Sequence, residues 1–376
     1  MNAPSQPTVL EFFAGGGLAR LGLDGWSTRF ANDIDPIKAT AYAANFGADH
    51  LRVADVWDLS AADLPPGRAD LAWASSPCQD LSLAGARKGL SARRSGAFWG
   101  FWRLIEQLDA EQRAPRLIVI ENVVGLLTSN GGEDFRQLCD LLAGAGWSFG
   151  ALELDASHWL AQSRPRLFVV ATRDTATGLA GPSGPFHSRG VVAAHAGLSD
   201  QARAAWRWWA LPAPARRNTD LAALLEADDS VEWLDEARTA AILEQMSPLH
   251  RQRLDAAVAS GERRVGAAFR RVRIEQGVKV QRIEARFDGL AGCLRTPAGG
   301  SSRQYLIVAE AGRVRARFLT PREALRLMGV GDDYRLPGST SAGLKLAGDG
   351  VAVPVVRALS EGLLKPLLSG QAARAA

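Results

Sequence analysis

Short apolar runs alternate with helix-patterned segments through the first 175 residues, and this alternation limits the fold more than any other feature of the chain. Runs at 8–13, 26–32, 69–75, 116–121 and 166–172 are strand candidates, and 36–46, 96–108 and 135–143 have helical spacing. Strands separated by helices build βαβ units, whose crossovers impose a mostly parallel sheet. The expected class is α/β, doubly wound.

From about 174 to 315 the pattern changes. Gly/Pro/Ser turns at 178–190 precede a tryptophan cluster (Trp206, Trp208, Trp209), whose expected role is packing rather than stacking on a ligand. A Pro-Ala-Pro break at 212–214 leads into helical segments and then a basic stretch. This predicts a second, smaller domain. A helix pattern resumes at 320–328, and 351–368 is an apolar helix.

The net charge of +4 is modest, but its distribution is uneven. Residues 250–290 alone carry ten Lys or Arg and five acids, a local excess of +5. A local positive field suits contact with a phosphate backbone; a solvated helix face is the alternative. Three dispersed cysteines argue against a disulfide framework and a zinc site, and for a reducing compartment. No apolar run is long enough to span a membrane, and the first eight residues lack the pattern of a secretory signal.

Doubly wound sheets place their sites at the carboxyl ends of strands. Four features fall there. The turn Ala14-Gly15-Gly16-Gly17 lets a backbone approach a ligand closely. Asp33 and Asp35 end the second strand, where an acid can hold ribose hydroxyls, although Asp35 before Pro36 also fits a helix N-cap. Ser76-Pro77-Cys78-Gln79 follows the third strand. A lone cysteine is most often a small core residue, but a thiol projecting from such a turn can be a nucleophile. Glu121-Asn122-Val123 ends the next strand and would share an edge with Cys78. Finally, Gln162, Arg164 and Arg166 alternate at period two, which in a strand puts both arginines on one face. Ordinary solvated arginines are the alternative there.

With these residues in order, the chain resembles the DNA cytosine-5 methyltransferases of bacterial restriction-modification systems, over nearly all of its length. The cofactor loop corresponds to Phe13, Ala14, Gly15 and Gly17, the ribose acid to Asp33, and the adenine amino partner to Asp55, with Val56 and Pro77 also on the cofactor side. Pro77-Cys78-Gln79 with Ser82, Glu121-Asn122-Val123 and Gln162/Arg164/Arg166 follow. After a long variable segment come Thr320-Pro321-Arg322-Glu323 and Gly348-Asp349-Gly350-Val351. The chain departs from the family at Leu18 (often Gly), Ile34 (often an aromatic that stacks on adenine) and Asp349 (usually Asn).

The resemblance implies a Rossmann-like methyltransferase domain, residues 1–180 with 340–376, and a smaller target-recognition domain with hinge, 181–339. It implies S-adenosylmethionine as cofactor, bound by the loop, Asp33, Ile34, Asp55, Val56, Pro77, Asp349 and Val351, and no metal. Cys78 would attack carbon 6 of a cytosine turned out of the duplex, Glu121 and Arg166 would hold the ring, and Arg164 would support the cysteine region. The segment 80–94 corresponds to a closing loop. Gln79, Ser82, Arg94, Arg270, Arg271, Arg273, Arg295, Ser301, Ser302, Arg303 and Gln304 are the expected DNA contacts, with a plain turn into the strand at 305–308 as the alternative for the last five. The expected partner is duplex DNA, for a monomer in the bacterial cytoplasm at the nucleoid, alongside a restriction endonuclease or phage-defence system. Two rival readings are a tRNA cytosine-5 methyltransferase and a non-catalytic DNA-binding regulator of the same fold. A Rossmann dehydrogenase is disfavoured because the glycine loop lacks the G-x-G-x-x-G spacing.

Overall fold

The computed structural model describes residues 6–77, 96–214, 216–217, 219–296 and 303–370. Seven strands form one sheet: β1 (Thr8–Phe12), β2 (Ser27–Asp33), β3 (Leu51–Val53), β4 (Leu71–Ala74), β5 (Leu117–Val123), β6 (Ser148–Asp155) and β7 (Pro165–Thr172). Their order is β3-β2-β1-β4-β5-β7-β6. The first five strands run parallel, and β7 runs antiparallel to both β5 and β6. The near-continuous burial of β4 and β5 is what a parallel strand covered on both faces requires.

The helices supply that cover. Helix α2 (Pro36–Phe46) packs Ala39 and Tyr42 against Ala31 and Leu51. On the other face α3 (Ala97–Ala110) and α4 (Glu133–Gly144) bury Phe98, Phe101, Leu104, Phe135 and Leu138 against Leu10, Phe12, Phe30 and Ile118. The expected doubly wound α/β class is what forms. Strands β3 and β6 lie outside the runs picked from sequence. β3 has three residues, two of them exposed, and β6 alternates glycine and acids among its apolar residues.

Two compact units divide the chain. One is Met1–Asp155, Pro165–Ala213 and Val355–Ala376, and the other is Ala156–Arg164 and Pro214–Pro354. The breaks near 213 and 354 differ from the expected functional boundaries at 180 and 340. The tryptophan segment explains the first difference. Trp209 donates its indole N–H to the Val170 carbonyl at 3.0 Å, and Arg207 bonds to the Phe149 carbonyl, so the segment packs on β6 and β7. These tryptophans are packing residues.

The second unit contains a four-stranded antiparallel sheet ordered β11-β10-β8-β9, from β8 (Arg264–Glu275), β9 (Val278–Arg286), β10 (Tyr305–Glu310) and β11 (Arg313–Phe318). Helices α7 (Glu236–Glu244) and α8 (Pro248–Ala259) cover it, and Ile242, Leu254 and Met246 of the link between the helices are buried against Ala268, Ile283 and Ile307. The basic stretch is therefore mostly a hairpin, not a helix face. Its alternating charges, spaced by Val and Ile, follow the period of a strand.

Candidate active site

The glycine loop leaves β1 through Phe13, a non-glycine residue held at φ 57°, in the left-handed region. Such a conformation persists only where its surroundings impose it. The surroundings here are two bonds across to β2: Ala14 N–H to the Asn32 carbonyl at 2.9 Å, and Gly15 N–H to Asp33 Oδ2 at 2.7 Å. Asp33 also accepts from Asp35 N–H at 2.8 Å. Asp33 therefore ties the loop to the end of β2, and each oxygen keeps a lone pair for a further donor. Asp35 is the N-cap of α2, accepting from Ile37 and Lys38. Asp55 likewise caps the short turn Val56–Asp58 through Trp57 N–H.

The loop backbone at Gly15 is open to the approach of a ligand. A Cβ built on Gly15 would meet only Lys38 Cδ, at 3.9 Å. Ile34, next to Asp33, is 66% exposed, unusual for a large apolar side chain at a strand end. It offers an apolar face beside a fixed carboxylate. Val56 departs from expectation: its side chain is buried and lies where a Cβ on Gly100 would sit, so only its backbone is left for a ligand. Gly17 is closed from below, since a Cβ there would lie 2.3 Å from Phe46.

The residues expected to carry the reaction lie at the same carboxyl edge. In the β5–β7 ladder Val123 pairs with Arg166 and Glu121 with Phe168, so Glu121 and Arg166 are diagonal neighbours on one face. Arg166 Nε lies 3.2 Å from Glu121 Oε1, and both are largely buried. Asn122 Nδ2 donates to the Ser76 carbonyl at 3.3 Å, joining the end of β5 to the residues that lead from β4 into Pro77, which is exposed. Cys78, Gln79, Ser82 and Arg94 lie outside the described residues, as does the rest of the expected closing loop.

Gln162 and Arg164 do not share a strand with Arg166, because β7 begins at Pro165. The expected single arginine face does not form. Arg164 is 2% exposed, and its guanidinium donates to three carbonyls: Leu294 at 2.9 Å, Gly348 at 2.8 Å and Gly350 at 2.7 Å. Gln162 is fully buried, donating to Leu327 O at 2.7 Å and accepting from Leu294 N–H at 3.1 Å. Both are positioning residues of the second unit. Arg164 holds the Gly348–Gly350 backbone, where Asp349 in turn accepts from Thr296 and Val351 is buried.

Of the expected DNA contacts, Gln304 is a correction. It is buried, with its amide donating to the Gly292 carbonyl at 2.7 Å, so it cannot read a base edge. Arg303 lies over the Phe318 ring at 4.2 Å, and Arg295 is exposed. Ser301 and Ser302 fall outside the described residues. Arg271 and Arg273 both pair with Glu284, which removes much of the free charge expected of them. Arg263 is likewise held by Asp228 and Glu310.

The profile of the C-5 cytosine-specific DNA methylase family matches residues 8–365. The chain belongs to the C-5 cytosine-specific DNA methylases. It is 27% identical to the type II methyltransferase M.NgoBI of Neisseria gonorrhoeae over 356 residues, 93% of this chain and 90% of that one. It is 31% identical to M.BsuFI of Bacillus subtilis over 166 residues, 43% of this chain and 38% of that one. Among solved structures it is similar to the Dnmt2 methyltransferase of S. pombe, with a TM-score of 0.59 at 19% identity, covering 96% of this chain and 99% of that one. The fold is the Rossmann-like one of these methyltransferases.

Two features of this methylase escaped the reading of its sequence. Glu323, noted only as a motif letter, is fully buried. It pairs with Arg317 at 2.6 and 2.7 Å while completing the capping box of α9 (Pro321–Arg326). The Thr-x-x-Glu spacing was the available signal. Glu11, the residue before Phe12-Phe13, is buried beside Tyr42, with Arg20 and His50 completing the group. Burial pushes its carboxyl up to about 8, against the pull of Arg20. No spacing signals such a residue, because its partners come from three separate segments.

Proposed function

We propose that this methylase transfers a methyl group from S-adenosylmethionine to carbon 5 of a cytosine turned out of a specific duplex DNA sequence, through a transient bond from Cys78 to carbon 6. The observation that carries the reading is the Glu121–Arg166 pair, largely buried at the carboxyl edge of β5, beside the Asn122 bond to the segment entering Pro77-Cys78. A carboxylate and a forked cation held together match the amine, ring nitrogen and carbonyl edge of a cytosine.

The Cys78 thiolate adds to carbon 6, and the electron pair of the 5,6 double bond moves to carbon 5. Glu121 holds N3 and the exocyclic amine, and Arg166 donates to the ring carbonyl oxygen. When bound, S-adenosylmethionine supplies the electrophilic methyl that carbon 5 accepts. Solvent water then takes the carbon 5 proton, the pair of the broken C–H bond restores the 5,6 double bond, and the carbon–sulfur pair leaves on sulfur, returning the thiolate and the aromatic ring. On the cofactor side Asp33 would accept from ribose hydroxyls, Ile34 would cover adenine and Asp55 would meet its amino group. Turning the base out costs a few kcal/mol of stacking and pairing. Residues 1–180 with 340–376 form the catalytic domain and 181–339 the target-recognition domain. The setting is the bacterial cytoplasm, at the nucleoid, and the chain acts as a monomer beside a restriction endonuclease or phage-defence system.

Labelled methyl transfer to duplex DNA, with tRNA as the competing acceptor, tests the substrate. Transfer to tRNA alone would sink the DNA assignment. Cys78→Ala abolishes transfer and the trapped adduct on 5-fluorocytosine DNA. Cys78→Ser falls by roughly a hundredfold or more, because a hydroxyl is a far weaker nucleophile than a thiolate. Full transfer by the Ser variant would refute the nucleophile.

A further inference from the structure

The β8–β9 hairpin is longer than the sheet it belongs to. β10 pairs with residues 264–268 of β8 only, while β9 pairs with β8 out to Glu275. Beyond residue 268 the hairpin is a two-stranded ribbon among the described residues. It closes through Gln276 and Gly277, both left-handed (φ 51° and 81°), a two-residue turn whose twist matches the strands. The ribbon is thus regular to its tip.

The ladder register separates its side chains into two unlike faces. Val272 opposes Gln281 and Ile274 opposes Lys279, with Arg270 opposite the buried Ile283. At its root this face lies under α7 and α8, and beyond them it is open: Val272 is 59% and Ile274 74% exposed. It carries two cations and no carboxylate, and neither cation has an ion-pair partner among the described residues. On the opposite face the three arginines are paired, though only two carboxylates share them. Glu284 holds Arg271 and Arg273, and Glu275 holds Arg282.

We propose that the ribbon face formed by Arg270, Val272, Ile274, Lys279 and Gln281 enters the major groove of duplex DNA and determines which sequence is methylated, while Arg271 and Arg273 brace the ribbon from behind. A two-stranded ribbon fits the major groove. Unpaired cations meet its phosphates, Gln281 offers a donor and acceptor to a base edge, and the two β-branched side chains suit a thymine methyl. A second copy of this face would set like charges against each other, so charge complementarity selects DNA. The proposal rests on the DNA-methylation reading above.

The test compares Lys279→Ala, Gln281→Ala and Ile274→Ser with Arg273→Ala, which removes an equal charge from the other face. All four are made in the full-length chain, at exposed positions, and urea midpoints confirm folding. Methylated sites are read by sequencing DNA exposed to each variant, and the KM for DNA is measured at several salt concentrations. Lys279→Ala should raise that KM about tenfold and lower the salt slope by about 0.9. Ile274→Ser and Gln281→Ala should alter or relax the methylated sequence, and Arg273→Ala should keep it. Unchanged KM, slope and site spectrum in the first three variants would overturn the proposal, as would an equal effect of Arg273→Ala. So would an Ile274→Ser variant that only converts a dimer to a monomer in gel filtration. Wild-type chain that methylates no duplex DNA would refute the underlying reading instead.

Discussion

Arg164→Lys separates a positioning arginine from a catalytic one. The guanidinium bridges three carbonyls from two stretches of chain, all within 2.9 Å, at a site only 2% exposed. A lysine ammonium keeps the charge but is a single point, and it cannot span Leu294, Gly348 and Gly350 together. Hydrogen bonds from charged donors are each worth roughly 1.5–3 kcal/mol, and buried carbonyls left without donors add to the cost. Loss of two of the three therefore predicts about 3–6 kcal/mol of destabilisation. Urea unfolding measures it as a lower midpoint at unchanged slope. Steady-state kinetics supply the second readout. The clamp holds the Gly348–Gly350 backbone, which carries the proposed cofactor residue Asp349, so the KM for the cofactor should rise more than kcat falls. A variant of wild-type stability whose kcat drops a hundredfold or more at unchanged KM would refute the clamp and return Arg164 to a role in supporting the cysteine region.

Glu11→Gln should remove a pH dependence. Glu11 titrates near 8 in the folded chain against 4.5 unfolded, so the folded chain holds the extra proton between those values. Stability contributed below pH 4.5 is then lost as pH rises towards 8, by up to about 1.4 kcal/mol per pH unit. The Gln variant should match wild type near pH 5 and exceed it at pH 8; urea midpoints that fall in parallel in both proteins would contradict this. Glu323→Gln strands the Arg317 charge at a site with no exposure and should cost about 3–5 kcal/mol by the same assay. A loss below about 1 kcal/mol would show the pair to be dispensable. Gly17→Ala puts a methyl 2.3 Å from Phe46 at φ 78°, which predicts about 2–4 kcal/mol of destabilisation, partly relieved by adding Phe46→Leu. No relief in the double variant would place the strain elsewhere.

The strand ends were the most legible part of this protein. Periods of two and 3.6 are local properties, and so is the placement of Gly15, Asp33, Pro77 and Glu121 just past apolar runs. Burial of those runs puts the residues at one sheet edge whatever the loops do. Short or half-exposed strands were less legible: β3 and β6 carry little apolar pattern, and the charged hairpin β8–β9 looked as much like a solvated helix face.

By itself the sequence determined the α/β class, the family and the order of its motifs, because those depend on short-range pattern and on residue identity. Only the tertiary structure decided what each polar group faces. It turned Arg164 and Gln162 into carbonyl clamps, buried Gln304 and Glu323, paired Arg271 and Arg273 with Glu284, and left Ile34 and Ile274 open. The physical reason is that a polar side chain's role is set by which partners desolvate it, and those partners come from segments distant in the chain.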